Sequence, residues 1–490
     1  MNKRNKIVLL YPRLHFEKRH QSWNWFPLPI MAVGAPLLAE GYDVVLVNGD
    51  MEPDALKKVV DNCADALLLG ISSMSGAQIH FGLEAARAVR EAGHKLPIIW
   101  GGYHPSILPE QTSQNPYVDT VVRGQGERTV LEIAAKLSQG EDFTDVEGIT
   151  FTRDGETVSN PSRKMEDIDN FPRLPYEKME NPEQYINNMP LYGSRTINYL
   201  SSQGCPFRCQ FCAEPMVYER HWKVHSPERV LADLEFLHSL FKINGISFSD
   251  PNFFGNEKRA REIASGMVEK NLKFGWNACA RASQIANFSD ETFAALKAGG
   301  FKSFFVGAES GSNQMLQTMQ KDIKSEDTIQ AARVATENGI RISFSFIVGF
   351  PGESDKDVYE SWDMIQQVSQ IMGEYTAELF FFEPTPGHAL YEKACQLGWK
   401  QPGSLEEWAK FSLFAHELPW MNKKFVNRMK QRQFYLTYGY PSEAVRTRAG
   451  RSSLNRTYAR MAETISAARC RRQYWNMPID WWLLQGLRQA

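Results

Sequence analysis

The chain has 490 residues, 43% hydrophobic and 23% charged, which is the make-up of a soluble globular protein of about three domains. Its net charge of −2 argues against the strongly basic surface that wholesale nucleic-acid binding needs. The seven cysteines are odd in number, and Cys63, Cys279, Cys395 and Cys470 lie scattered. That pattern excludes a disulfide framework and points to a reducing, cytoplasmic setting.

At the amino terminus, Ile7–Tyr11 is a short apolar run stopped by Pro12. It is too short for the core of a signal peptide and reads as a buried strand. No stretch approaches the roughly 18 apolar residues of a membrane span. Further strands are expected at Asp43–Val47, Ala66–Ile71, Pro97–Trp100 and Thr120–Val122. Between them, Met31–Glu40, Pro53–Asn62, Ala77–Ala92 and Thr129–Ser138 repeat apolar residues at helical spacing. Such alternation predicts an α/β domain with a flavodoxin-like (Rossmann-type) parallel sheet over residues 1–145. Ligands of open sheets sit beyond the carboxyl ends of the strands. There the chain carries Ser72 and Ser73, then Gly101, Gly102, Tyr103 and His104, then Gly124, Gln125, Gly126 and Glu127. Glycine lets backbone approach a bulky ligand closely, although any doubly wound domain also needs turns at these points.

Residues 146–195 read as a linker holding a hairpin around Asp154-Gly155. From residue 196 to about 415 the alternation resumes, with strands expected at Ile197–Ser201, Gly245–Ser249, Lys273–Asn277, Ser303–Gly307, Arg341–Val348 and Ala377–Phe382. Ser226, Ser325 and Ser354 are the expected helix caps. Six strand–helix units make a partial (β/α)6 barrel, whose reactive groups gather at the carboxyl ends of its strands.

After the first of these strands comes Gly-Cys-Pro-Phe-Arg-Cys-Gln-Phe-Cys, holding Cys205, Cys209 and Cys212. Three thiols within eight residues can wrap one corner of an iron–sulfur cube. Cubes normally take four thiolates, so a three-thiolate loop leaves one iron open to another ligand. A structural zinc site that recruits His221 or His225 is the alternative. Zinc modules, however, usually group their ligands as two close pairs, which this segment does not do. Cys279 has no partner at cluster spacing and reads as a small buried residue.

From residue 416 a helical segment is expected. Met421 to Arg472 holds 13 Lys or Arg against Glu443 and Glu463, with breaks at Gly439-Tyr440-Pro441 and Gly450. Tyr474, Trp475, Trp481 and Trp482 follow. The segment reads as solvated helices anchored on the barrel by aromatic residues, with a substrate lid or a peripheral membrane contact as the functional alternatives.

The cysteine spacing is similar to that of the radical S-adenosylmethionine (SAM) enzymes, over about residues 196–390. With a flavodoxin-like domain in front and the Gly-Gly-Tyr-His and Arg-Gly-Gln-Gly-Glu loops within it, the chain resembles their cobalamin (B12)-binding branch. That branch includes radical SAM C-methyltransferases and the anaerobic magnesium-protoporphyrin monomethyl ester cyclase. The resemblance implies a 4Fe-4S cluster on Cys205, Cys209 and Cys212 whose open iron chelates SAM, reductive cleavage to a 5′-deoxyadenosyl radical, and cobalamin on the loops named above. It further implies that Asp250 and Asn252 hold the SAM amino group, and that Arg281 and Ser283 attend its carboxylate. Glu309 would bond ribose, and Val348 and Gly349 would receive adenine, with Phe211 packing on the adenosyl group. Taken singly, Arg281 reads equally as a surface cation, Glu309 as half of a local ion pair and Phe211 as core.

Many cobalamin domains carry Asp-x-His-x-x-Gly after the first strand. Here that place reads Tyr11-Pro12-Arg13-Leu14-His15-Phe16, so cobalamin is expected without a histidine lower ligand. The activity implied is methylation of an unactivated carbon of a small-molecule, lipid or tetrapyrrole-type substrate, fed by an external flavodoxin- or ferredoxin-type electron donor. Oxidative cyclase chemistry is the alternative. A tRNA-modifying methylthiotransferase would carry more amino-terminal cysteines than Cys63 and an RNA-binding barrel in place of this tail, so nucleic acid is not an expected partner.

Overall fold

In the first strand, β1 (Lys6–Tyr11), side chains alternate between two apolar layers. Ile7 and Leu9 pack in one core with Leu28, Met31 and Ile133. Val8 and Leu10 pack in the other with Val59, Ile79 and Trp100. A strand buried on both faces belongs in the middle of a parallel sheet covered by helices, and that is where it lies. The computed structural model describes residues 5–16, 23–373, 375–411, 418–441, 445, 453–472 and 479–489. With β2 (Asp43–Asn48), β3 (Ala66–Ser72), β4 (Ile98–Gly101) and β5 (Thr120–Val122), β1 forms a parallel sheet of order β2-β1-β3-β4-β5. The hairpin β6 (Ile149–Arg153) and β7 (Glu156–Ser159) extends that sheet antiparallel from β5. Its turn holds Asp154 and Gly155 at positive φ, as a two-residue hairpin of this type requires.

The second sheet begins with a short edge strand, β8 (Asn187–Met189), antiparallel to β9 (Gly193–Tyr199). A two-stranded ribbon follows, β10 (Ser202–Gly204) against β11 (Trp222–Val224). The ribbon is an addition to the expected pattern: its two strands bracket the segment that holds the cysteines. Then come β12 (Gly245–Phe248), β13 (Gly275–Ala280), β14 (Phe301–Glu309), β15 (Arg341–Val348) and β16 (Tyr375–Phe381). Six parallel strands in the order β9-β12-β13-β14-β15-β16 make a curled half-barrel.

Ser226 and Ser354 cap their helices by accepting from Arg229 N and Asp357 N. Ser325 does not cap. It is the first helical residue of Ser325–Glu337, because Asp327 accepts the amide of Lys324 at 2.8 Å and moves the cap back by one.

After β16 the chain returns to the first domain. Helix Leu405–Ala409 seats Trp408, 1% exposed, in the core behind β1. Gly76 N donates to Trp408 O at 3.2 Å, Gln111 Nε2 to Pro402 O at 2.9 Å and Asn115 Nδ2 to Glu406 Oε1 at 2.6 Å. The remaining helices are Lys423–Gly439, Ser453–Arg472 and Ile479–Gln489. Gln433 ties the first of them to Leu379 O of β16, and Asp480 joins the other two through Arg469 at 2.6 Å. Leu484 is buried there, while Ile479, Trp482 and Leu483 are exposed on one side of the last helix. Gly450, Tyr474 and Trp475 lie outside the described residues. No helix among the described residues is long and apolar enough to cross a membrane.

Candidate active site

The cysteine loop is held by backbone contacts from two sides, so its shape does not depend on its thiols. Gln210 N donates to Met319 O at 2.9 Å, and Arg208 pairs with Asp322 at 3.0 Å. From beyond β16, Thr385 Oγ1 donates to Phe211 O at 3.4 Å and His388 Nε2 to Cys212 O at 2.7 Å. Burial pushes the Cys205 thiol up and the Cys212 thiol up to about 12, so ligation must displace protons. All three cysteines are free of disulfides. The zinc alternative gains no support from the side chains around the loop: His225 Nδ1 bonds Asp169 at 2.7 Å, and His221 is exposed with its Nδ1 turned to Tyr218 O. Among the described residues, no group of three His, Cys, Asp or Glu side chains is close enough to share one ion. Ligands of a cube each bind a different iron and need not be that close.

The strand ends around the loop differ in how far their side chains are already engaged. Asp250 is fully buried and accepts from Ser201 N, Ser201 Oγ and Ser202 Oγ. Asn252, two residues on, is 2% exposed, and neither Oδ1 nor Nδ2 has a partner. A buried primary amide left unpaired costs about 1–3 kcal/mol per group, so this position is built to receive a polar ligand. Arg281 is buried over the Phe207 ring at 3.7 Å and reaches Cys209 Sγ at 3.7 Å through Nη1. Its Nε and Nη2 are buried without partners. The reading of Arg281 as a surface cation therefore fails. Ser283 sits half-buried on the short helix Ala282–Ile285 that Arg281 precedes.

Glu309 is the local ion pair its alternative reading supposed: Lys321 Nζ lies 2.8 Å from Oε1, with both side chains at or below 10% exposure. It ends β14 at φ 61°, past a bulge opposite β15. Gly307 makes room for the pair, since a Cβ there would lie 2.1 Å from Glu309 Oε1. Phe211 stands edge-on to Phe350 at 6.0 Å, with Lys321 Nζ 5.6 Å from its ring centre.

Val348 is buried at the end of β15. Gly349 follows at φ 86°, donating its amide to Glu353 and accepting Trp420 Nε1 at 2.9 Å. Burial pushes the Glu353 carboxyl up from an ordinary 4.5 to about 8, against the pull of the Gly349 amide. The native state thus keeps a proton that the unfolded chain sheds, so stability falls as pH rises from about 4.5 through about 8. Melting temperature is expected to drop less steeply over that window in Glu353→Gln than in the parent protein, as scanning calorimetry would show.

A cavity of about 440 Å³ lies between the carboxyl ends of the first sheet and the mouth of the half-barrel. Ser72, Ser73, Gly101, Gly102, Tyr103, Gly124, Gly126 and Glu127 all line it. Gly102, at φ 94°, must be glycine: a Cβ would fall 2.9 Å from Ser73 N and O. His104 does not line the cavity. It turns to the other face of helix Tyr103–Ile107, where Nδ1 meets Ser75 Oγ at 2.9 Å and the ring meets Trp408. Burial pulls its pKa down to about 3, so the ring is neutral. Leu14 lines the cavity and His15 does not.

Sequence reading missed the opposite wall, formed by Asn198, Leu200, Gln203, Val217, Tyr218 and Ser249. It also missed the Gln203 bonds to Glu127 and Gln125 that join the two walls. Nothing local marks these residues, since each belongs to the cavity only through the packing of one domain on the other.

Residues 23–134 match the B12 binding domain and residues 199–365 the Radical SAM superfamily. The chain belongs to the B12-binding radical SAM enzymes. Its cofactors are accordingly a 4Fe-4S cluster, SAM and cobalamin. This B12-binding radical SAM enzyme is 27% identical over 423 residues to an uncharacterized methyltransferase of Pyrococcus horikoshii, covering 84% of this chain and 89% of the relative. It is 25% identical over 358 residues to the anaerobic magnesium-protoporphyrin IX monomethyl ester cyclase of Synechocystis, covering 71% and 70%. A solved structure of the cobalamin-dependent SAM radical enzyme OxsB, with aqua-cobalamin and SAM bound, superposes at a TM-score of 0.70. That alignment covers 99% of this chain and 75% of OxsB at 18% identity, a likeness of fold. The donor set fits these cofactors: three thiols on one loop, the unpaired amide of Asn252, and a cavity walled in part by Gln203, Val217 and Tyr218, which flank that loop in the chain.

Proposed function

We propose that the protein is a cobalamin-dependent radical SAM C-methyltransferase acting on an unactivated carbon of a small-molecule, lipid or tetrapyrrole-type substrate. One observation carries this reading: the wall of the B12-domain cavity is completed by Val217 and Tyr218, which follow Cys212 by only one short helix. The site for a methyl carrier and the site for radical generation therefore adjoin, as methyl transfer to a carbon radical demands.

Cys205, Cys209 and Cys212 would hold the cluster, with His388 and Thr385 fixing the loop carbonyls. Asn252 would bond the SAM amino group and the free edge of Arg281 the carboxylate, a match of planar donor to planar acceptor, with Ser283 beside it. The Val348–Gly349 end of β15 and Phe211 would receive the adenosyl group, and Glu309 the ribose. Asp250 we assign to positioning, because its oxygens are spent on Ser201 and Ser202. Ser72, Ser73, Gly101, Gly102, Tyr103, Gly124, Gly126 and Glu127 would cradle the corrin, with His104 packing behind them. When bound, the cluster supplies the electron that splits SAM, and methylcobalamin supplies the methyl group. An external flavodoxin- or ferredoxin-type donor would reduce the cluster. The exposed face of Ile479, Trp482 and Leu483 supports peripheral contact with a membrane or an amphipathic substrate.

Asn252→Ala is expected to weaken SAM by about tenfold or more, since hydrogen bonds to charged groups are worth about 1.5–3 kcal/mol. Equilibrium binding of SAM to the reconstituted enzyme would read this directly. The activity itself is tested with SAM labelled in its methyl group. Label in the product supports methyl transfer. A product oxidised but unlabelled, with all label in methionine, would replace this reading by chemistry of the cyclase kind.

A further inference from the structure

We infer that the Tyr103–Glu214 hydrogen bond couples the corrin site to the cluster loop, so that filling one site tightens the other; this rests on the proposed function. Tyr103 belongs to the Gly-Gly-Tyr-His loop and lines the cavity. Its hydroxyl donates to Glu214 Oε1, and Glu214 stands two residues beyond Cys212. The other carboxyl oxygen of Glu214 is buried without a partner, so the bond to Tyr103 is the side chain's anchor. The residue heads helix Glu214–Val217, which runs from the last thiol into the cavity wall. At the end of that helix, a Cβ on Gly124 would lie 3.3 Å from Val217 O, and Tyr218 faces the cavity. The chain thus passes from a cluster ligand to the corrin wall in six residues, and the first domain touches that stretch at Tyr103 and Gly124.

Cys212 is fixed in turn by His388 through its carbonyl. Ligating its sulfur removes the remaining freedom of the helix that starts beside it. A wall already rigid costs less to order when a corrin arrives. Linkage is reciprocal: whatever factor the cluster adds to corrin affinity, the corrin adds to cluster retention. Tyr103 and Glu214 are in this sense positioning residues.

The test titrates hydroxocobalamin into cluster-loaded protein and into the same protein stripped by anaerobic chelation, following corrin absorbance. In the parent protein, affinity is expected to be roughly tenfold higher with the cluster, inside the range usual for coupled sites. Retention of iron against a chelator should rise by a similar factor when cobalamin is present. Both ratios should fall to about one in Tyr103→Phe, which keeps the ring and removes the donor, and in Glu214→Leu, which keeps a side chain of similar size and removes the acceptor. Corrin that binds equally well with and without cluster in the parent protein overturns the coupling alone, as does a ratio that persists in both variants. Failure of corrin to bind in either state overturns the coupling and the proposed function together.

Discussion

Replacing Cys205, Cys209 and Cys212 together by alanine is expected to yield a folded protein with no iron, no sulfide and no cleavage of SAM. The loss should be complete because the loop offers no substitute ligand. His225 Nδ1 is bonded to Asp169 and His388 Nε2 to the Cys212 carbonyl, while Cys279, half-buried rather than buried as its isolation suggested, lies away from the loop on β13. The fold should survive because the loop is carried by main-chain bonds to Met319 and His388 and by the Arg208–Asp322 pair, none of which uses sulfur. Single substitutions should come close to the same result, since a cube left with two thiolates is poorly held. Iron and sulfide analysis after anaerobic reconstitution, with 5′-deoxyadenosine formation as the second measurement, checks the expectation. Normal iron content in the triple variant would remove the foundation of the functional reading.

The second large effect is on stability. Lys321→Met is expected to cost about 3–5 kcal/mol, because it leaves the Glu309 carboxylate buried and unpaired. In a barrel of this size that corresponds to a fall in melting temperature on the order of 10 °C. The carboxylate cannot easily move to solvent: Glu309 is held at φ 61° by the bulge that ends β14, and Gly307 lies against it. Adding Glu309→Gln to Lys321→Met removes the stranded charge and should recover most of the loss. Thermal unfolding of the two variants separates this account from simple loss of Lys321 packing, which the second substitution would not repair.

Much of this was legible in the chain itself. Strands such as Thr120–Val122 and Arg341–Val348 lie at their expected bounds, because apolar runs buried on both faces leave few alternatives. The cysteine triplet was legible because its chemistry lies in local spacing. What stayed hidden depends on contacts far apart in sequence. Asp250 and Asn252 look equivalent on paper, and only Ser201 and Ser202, packed beneath, decide which one is spent. His104 follows three cavity residues directly, yet the first turn of its helix swings it to the opposite face. Ser325 looked like a cap until Asp327 claimed the preceding amide. Lys321 gave no sign that it partners Glu309, since twelve residues and a helix separate them.

Trp408 has a consequence for how this molecule comes into being. Its indole fills the layer behind β1, so the amino-terminal domain borrows part of its interior from a helix made some four hundred residues later. During synthesis that domain must wait, with an apolar socket open to water, until the half-barrel has been translated. A fragment ending before residue 400 would keep the socket and lose its plug. The two domains are therefore one unit of assembly, and the vitamin-binding portion is a poor candidate for isolation by truncation.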